Sequence, residues 1–299
     1  MKKALSTRRA VAAIVASLVL GACGSGSMSE SADTTAAEAP DAPAVRIVSL
    51  SPTATEMLYA IEAGDAVVAV DSLSTFPAEV ADKVTDISAY EPSAEAILGF
   101  DPDIVVISND MSKISEQLTT ADPSITIWTG AAAESLDDVY QQMTELGEVT
   151  GRSAQAAAAV QSMKDRIATA TAGVKAPAGT TYFYELDNTL YSLTSATFVG
   201  SLLSQLGLDN IADGVEEGNP YPQLSAEIII ERNPTFIFLA DTKCCQQNAA
   251  EVAKRAGWGD LDAVRNNRIV ELDDDIASRW GPRLADLVET FAAAVRALD

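Results

Sequence analysis

The chain writes one short pattern twice. Residues 92–108 read PSAEAILGFDPDIVVIS and residues 224–240 read LSAEIIIERNPTFIFLA, 132 positions apart and alignable without a gap. Each copy holds Ser-Ala-Glu, an Ile two places after the Glu, an Asp-Pro or Asn-Pro breaker, and a closing apolar run. The Ser hydroxyl is suited to accept a first-turn backbone N–H, and the Glu then falls where the helix dipole favours an acid. The Pro ends the short helix, and the apolar run has the length of a buried strand. A helix–strand unit at matching places in both halves constrains the chain to two similar α/β lobes. In such lobes helices begin on the side where strands end, which is the ligand side. Glu95 and Glu227 are therefore expected to project from that rim, one per lobe.

The rest of the body agrees. Residues 46–50 read as a short strand, and Ser51-Pro52 then opens a helix, Pro being suited to the first turn. Met57, Leu58 and Ile61 recur at helical spacing, Gly64 stops the helix, and 67–70 is the next strand. Apolar runs at 104–107 and 125–128 have the composition of strands buried in a parallel sheet. Residues 134–173 turn to long helices. Of these, 152–172 has no Gly or Pro and is rich in Ala, and its twenty-one residues reach roughly 32 Å at the α-helical rise. A helix of that length between two strand-rich halves is a strut. Strands resume at 180–186, 235–240 and 268–273, and a last amphipathic helix is placed from Gly281-Pro282. The predicted fold is α/β: two Rossmann-like lobes with parallel-type sheets, bridged by one long α-helix, with a ligand cleft between them. Residues 45–150 are assigned to the first lobe, 151–174 to the bridging helix and 178–299 to the second lobe.

The amino end stands apart. Lys2, Lys3, Arg8 and Arg9 precede an apolar run at 10–20, too short to span a bilayer and shaped as an export signal. The run ends in Leu20-Gly21-Ala22-Cys23, which resembles the lipobox of bacterial lipoproteins. That resemblance implies a signal peptide at 1–22, cleavage before Cys23, and a lipid anchor on Cys23 that holds the protein to the cell membrane on its outer side. Residues 23–44 are small, polar and proline-dotted, a flexible tether rather than a folding unit. Two more cysteines, Cys244 and Cys245, are adjacent. In an exported chain a strained vicinal disulfide, two free thiols and an intermolecular bridge all stay open.

The formal net charge is −23, and loss of residues 1–22 would remove four cations and no acid. Phosphate binding needs a basic face, so nucleic acid is excluded as a partner. The chain has no His, which rules out Ser–His and Cys–His nucleophiles. Neither a nucleophile elbow, a P-loop nor a dinucleotide fingerprint is present. Carboxylate pairs for a hydrolase can be drawn from 43 acids, but no spacing singles one out. A surface receptor with a non-transport role is the other alternative, and the expected adhesion repeats are not evident.

RIVSLSPTATEMLYAI, SAEAILGFDPDIVV, YPQLSAEIIIERNPTFIF and RWGPRLADL together resemble the iron–siderophore and vitamin B12 substrate-binding proteins of bacterial ABC importers. The resemblance runs from Val45 to Asp299. It implies a binding protein rather than an enzyme, two lobes joined by a backbone helix, a metal chelate held between them, and one docking glutamate per lobe facing permease arginines. Carried onto this chain, the docking residues are Glu95 and Glu227. The implied partners are the permease, through it the ATPase, and the chelate. The receptor itself is expected to be a monomer with no cofactor and no metal site of its own, a metal arriving as cargo. Loops at strand ends supply the expected ligand contacts: Tyr90, Tyr191, Tyr221, Arg279, Trp280 and Arg283. Tyr and Trp pair an apolar body with a polar tip, and Arg suits acids, amides or phosphate. Low basicity favours a neutral or cationic hydroxamate-type iron(III)–siderophore, ahead of cobalamin.

Overall fold

Runs of β-branched and aromatic residues build two sheets. The structure is a computed structural model that describes residues 45–298. The expected export signal, Cys23 and the expected tether, like Asp299, lie outside the described residues. In the first lobe the chain forms β1 (Ile47–Leu50), α1 (Pro52–Ala60), β2 (Val67–Val70), α2 (Ala94–Leu98), β3 (Ile104–Ile107), α3 (Ile114–Ala121) and β4 (Thr126–Thr129). Two long helices follow, α4 (Leu136–Val149) and α5 (Ser153–Thr171). The second lobe holds β5 (Thr181–Glu185), α6 (Phe198–Gln205), β6 (Asp209–Asn210), α7 (Ala226–Arg232), β7 (Phe236–Leu239), α8 (Ala249–Ala253), α9 (Asp262–Arg265) and β8 (Ile269–Glu271). The chain ends in α10 (Asp274–Ser278) and α11 (Leu284–Arg296).

The two sheets repeat one topology. Strand order is β2-β1-β3-β4 in the first and β6-β5-β7-β8 in the second, with every pairing parallel. The written repeat occupies the same slot in both, as α2–β3 and α7–β7. Its caps are duplicated too: Ser93 accepts the Ala96 N–H and Ser225 the Ile228 N–H, each at 3.3 Å. In both sheets the direction of strand addition reverses between the first and third strands, β1/β3 and β5/β7. That reversal opens a crevice at the carboxyl ends of the strands, where open α/β sheets hold ligands.

The bridging helix α5 packs on α4 and on α11, and one hydrophobic core runs through both lobes. Gly147 lets α5 approach α4 closely, because a side chain there would collide with the Ala156 methyl. A second connection was not foreseen. The segment between α10 and α11 crosses onto α1, where Gly281 lies against Thr53 and Met57. Arg283 meets the buried Glu56 through both carboxylate oxygens, Nε at 2.8 Å and Nη2 at 2.5 Å. Arg279 reaches the same carboxylate at 3.5 Å, and also Thr75 Oγ1 (3.1 Å), the Leu73 carbonyl (3.0 Å) and Asp275 (2.8 Å). The final helix begins at Leu284, Pro282 being spent in the turn that shapes this crossing.

Most element boundaries differ from the sequence expectation by one or two residues, and one strand was not expected at all. The fourth strand is shifted one residue towards the carboxyl end. The bridging helix is shorter than 152–172 by one residue at each end. The two-residue β6 has no apolar run to betray it; Asn210 holds it through Nδ2, which donates to the Tyr182 hydroxyl (2.8 Å) and the Leu193 carbonyl (2.7 Å).

One buried acid gives the fold a pH dependence. Glu185 is fully buried and paired with Arg255 at 2.5 and 2.6 Å, and the equally buried Asp241 lies beside it without a hydrogen-bond donor of its own. Burial first, then the Glu185 carboxylate, pushes the Asp241 carboxyl up to about 7; Arg255 opposes this and Asp274 adds to it. The folded chain therefore keeps a proton that the unfolded chain releases near pH 4. This contribution is complete below pH 4 and is lost as pH rises towards 7. Asp241→Asn, which keeps a donor facing Glu185, should raise the melting temperature at pH 8 while changing it little at pH 4. Each kcal/mol recovered corresponds to roughly 2–4 °C in a body of this size. Parallel melting curves for the two proteins across pH 4–8 would contradict the assignment.

Candidate functional site: a two-chambered cleft

The two crevices at the strand ends are each lined as a chamber. The larger, about 400 Å³, lies at the β1/β3 crevice and is lined by Ser51 after β1, Ser108 after β3, Tyr90, Trp128, Gln142 and the small residues 130–133. The smaller, about 210 Å³, lies at the β5/β7 crevice and is lined by Leu186 after β5, Ala240 after β7, Tyr184, Leu193, Thr197, Val199 and Tyr221. Ser278 and Trp280 belong to both linings. The chambers thus adjoin, sharing a wall at the segment that crosses between lobes. Trp280 is held there by an edge contact to Phe198 (5.4 Å between centroids, 88°) and by its indole N–H, which donates to the Ala277 carbonyl at 3.3 Å.

The lining is polar but uncharged. Among the described residues that line the two chambers, none carries a charged side chain. Hydroxyls of Ser51, Thr53, Ser108, Thr197 and Ser278, the Gln142 amide and aromatic faces supply the chemistry. Such a surface binds hydrogen-bonding, partly apolar ligands and gives an anion no counter-charge. Trp128 owes its place to its neighbour: any side chain at Gly130 would collide with its ring.

The residues expected from the sequence divide into groups. Tyr90, Tyr221 and Trp280 line the cleft. Tyr191 lies outside both linings, its backbone bridged to Gln223. Arg279 and Arg283, also expected against the ligand, lie outside both linings; both side chains are largely buried, 13 % exposed, and paired with Glu56. Their charge holds the lobes and the Trp280 segment instead. Glu95 and Glu227 are exposed in the first turns of α2 and α7, with Tyr90 and Tyr221 a few residues upstream in the cleft. The Glu227 carboxyl is held below the usual range by its own backbone N–H and by Ser225.

Cys244 and Cys245 are free thiols with their sulfurs 2.7 Å apart, beside Asp274 at the start of α10. Partial burial, then Cys245 and Asp274, push the Cys244 thiol up to about 12, which suppresses its reactive thiolate. Among the described residues, no group of three or more His, Cys, Asp or Glu is placed to hold a metal ion. Sequence reasoning missed Trp128, Tyr184 and Gln142. Trp128 and Tyr184 sit within apolar strand runs, where an aromatic reads as core, and the GAAA stretch after β4 carries no side-chain chemistry to notice.

Two lobes of one topology closing on a shared, uncharged cleft define a ligand-binding receptor. The chain belongs to the periplasmic binding protein family, whose profile matches residues 47–276. It is 30% identical over 257 residues to an ABC transporter substrate-binding lipoprotein of Bacillus subtilis, named as uncharacterized, covering 84% of this chain and 79% of that one. A cobalamin-binding protein of Halobacterium salinarum is 29% identical over 257 residues, 83% of this chain and 69% of that one. Among solved structures, the periplasmic vitamin B12 binding protein of Vibrio cholerae superposes with a TM-score of 0.65 at 25% identity, covering 85% of this chain and 98% of that one. These relatives are binding proteins, and the chain is a receptor, not an enzyme.

Proposed function

We propose that this protein captures a corrinoid of the cobalamin type outside the cytoplasm and passes it to an ABC importer permease. The observation that carries the reading is the uncharged, aromatic-walled cleft. A corrinoid presents amide side chains to hydroxyls and Gln142, and a broad ring system to Trp128, Trp280 and Tyr90. Relatives in two distant groups of organisms, Halobacterium and Vibrio, are named for cobalamin or vitamin B12 binding. The sequence favoured a hydroxamate chelate over cobalamin; Trp128 and Tyr184 in the cleft walls reverse that order. A ferric hydroxamate is the second reading, favoured by the same absence of charge in the lining. Haem fits less well, since its two propionates would meet no cation there.

In this reading Glu95 and Glu227 dock the two lobes onto permease arginines, and Cys23 carries the lipid that keeps the receptor at the membrane. Residues 23–44 give it reach. The test is tryptophan fluorescence of residues 45–299 titrated with cyanocobalamin, a ferric hydroxamate and hemin. Saturable quenching by cyanocobalamin at micromolar or lower concentration, with the ligand recovered unchanged, is expected. Quenching by the hydroxamate alone would install the second reading, and quenching by hemin alone would overturn both.

A further inference from the structure

The loop that leaves the carboxyl end of β7 carries two adjacent thiols. Cys244 is exposed and Cys245 half-buried, with their sulfurs 2.7 Å apart. A free cysteine ordinarily packs as a small buried hydrophobe, so packing gives no reason for either. The same loop is tied to α10. The Asp274 carboxylate accepts the backbone N–H of Lys243 (3.0 Å) and of Cys244 (2.8 Å), and the Thr242 hydroxyl (2.8 Å). The Lys243 ammonium reaches Asp273 (2.7 Å) and Asp275 (2.9 Å) on either side. Helix α10 in turn supplies Ala277 and Ser278 to the chamber linings.

We propose that Cys244 and Cys245 form a reversible vicinal disulfide, and that its closure loosens the loop's grip on α10. The oxidant is an external disulfide. The Cys244 thiol holds its proton above the ordinary range, so Cys245 opens the exchange. Its thiolate attacks one sulfur of the external disulfide, forming a mixed disulfide and expelling one thiolate. Cys244 Sγ then attacks Cys245 Sγ and expels the second. The pair gives up two electrons and two protons, and the external disulfide becomes two thiols. Adjacent Cα atoms are about 3.8 Å apart, closer than the roughly 4.4–6.8 Å that disulfides prefer. The ring therefore closes only by bending the Cys244–Cys245 peptide, which leaves it readily reduced. That bend pulls on the Cys244 N–H at Asp274 and on the Cys245 N–H at the Asp241 carbonyl (3.3 Å).

The switch takes from the proposed function only the oxidising surroundings outside the cytoplasm, and its test needs neither ligand nor location. The full chain is prepared with Cys23→Ser, which leaves Cys244 and Cys245 as its thiols. It is treated with oxidised glutathione and then with dithiothreitol, and followed by intact mass, thiol titration and amide hydrogen exchange. Both thiols should disappear together, the monomer should become lighter by two hydrogens, and dithiothreitol should reverse both changes. Amides at 275–279 should exchange roughly threefold faster in the oxidised form. Thiols that stay free, keep glutathione as a lasting mixed disulfide or join two chains overturn the proposal. A disulfide that forms but leaves exchange at 275–279 unchanged also overturns it. Cys245→Ser, treated alike, should show neither the loss of two hydrogens nor faster exchange; faster exchange there overturns the switch, since the pair would not be its cause. None of these failures touches the receptor reading.

Discussion

Glu56→Ala is expected to lower the melting temperature of the body by about 6–20 °C and to weaken ligand binding at the same time. Glu56 is 3 % exposed and is the shared anion for two largely buried guanidiniums from the far end of the chain. Removing one member of a buried charge cluster costs about 3–5 kcal/mol, because the partners are left without compensation. A body of this size loses roughly 2–4 °C per kcal/mol. The second effect follows from geometry. Trp280 lies between Arg279 and Arg283, so loss of the Glu56 anchor frees the residue common to both chambers. Glu56→Gln keeps the shape and loses the charge, and should fall between Ala and wild type. Calorimetric melts and cyanocobalamin titrations of the three proteins check this; a drop under 2 °C would show that the clasp contributes little.

Reversing charge at Glu95 and Glu227 together should abolish uptake of the ligand by cells or proteoliposomes carrying the cognate permease, while affinity in solution stays within about twofold. Both carboxylates are exposed, in first turns of matching helices, and neither belongs to the cleft lining. In the proposed docking each accepts an arginine across an interface, and breaking such a pair costs about 2–5 kcal/mol when it is desolvated. Two positively charged substitutes facing arginines add repulsion. Single reversals should leave partial uptake, because one lobe still docks. Uptake that survives the double reversal, or solution affinity that falls with it, would contradict the docking role.

Much of this architecture was legible because the chain repeats itself. The Ser-Ala-Glu copies, their Pro breakers and the strands behind them come out at the same position in two sheets of the same order, down to the cap distances. Composition also placed the bridging helix, since Ala-rich sequence without Gly or Pro leaves little else to form. Long-range pairing is where reading along the chain failed. Glu56 and Arg283 are 227 positions apart, and nothing local to either shows that they meet. An arginine beside a tryptophan in a cleft loop reads as a ligand contact until its counter-ion is found. Tyr184 failed differently: among Tyr182, Phe183 and Leu186 it looks like core, and only the absence of a partner for its hydroxyl sets it apart.

We propose that the adjoining chambers at the β1/β3 and β5/β7 crevices act as one binding site, with Trp280 common to both. Titration calorimetry of cyanocobalamin into residues 45–299 tests it most directly, run beside the Trp280→Ala variant. A single isotherm with one ligand per chain and at least a tenfold loss in the variant is expected. Two independent sites, or an isotherm that Trp280→Ala leaves unchanged, would contradict it.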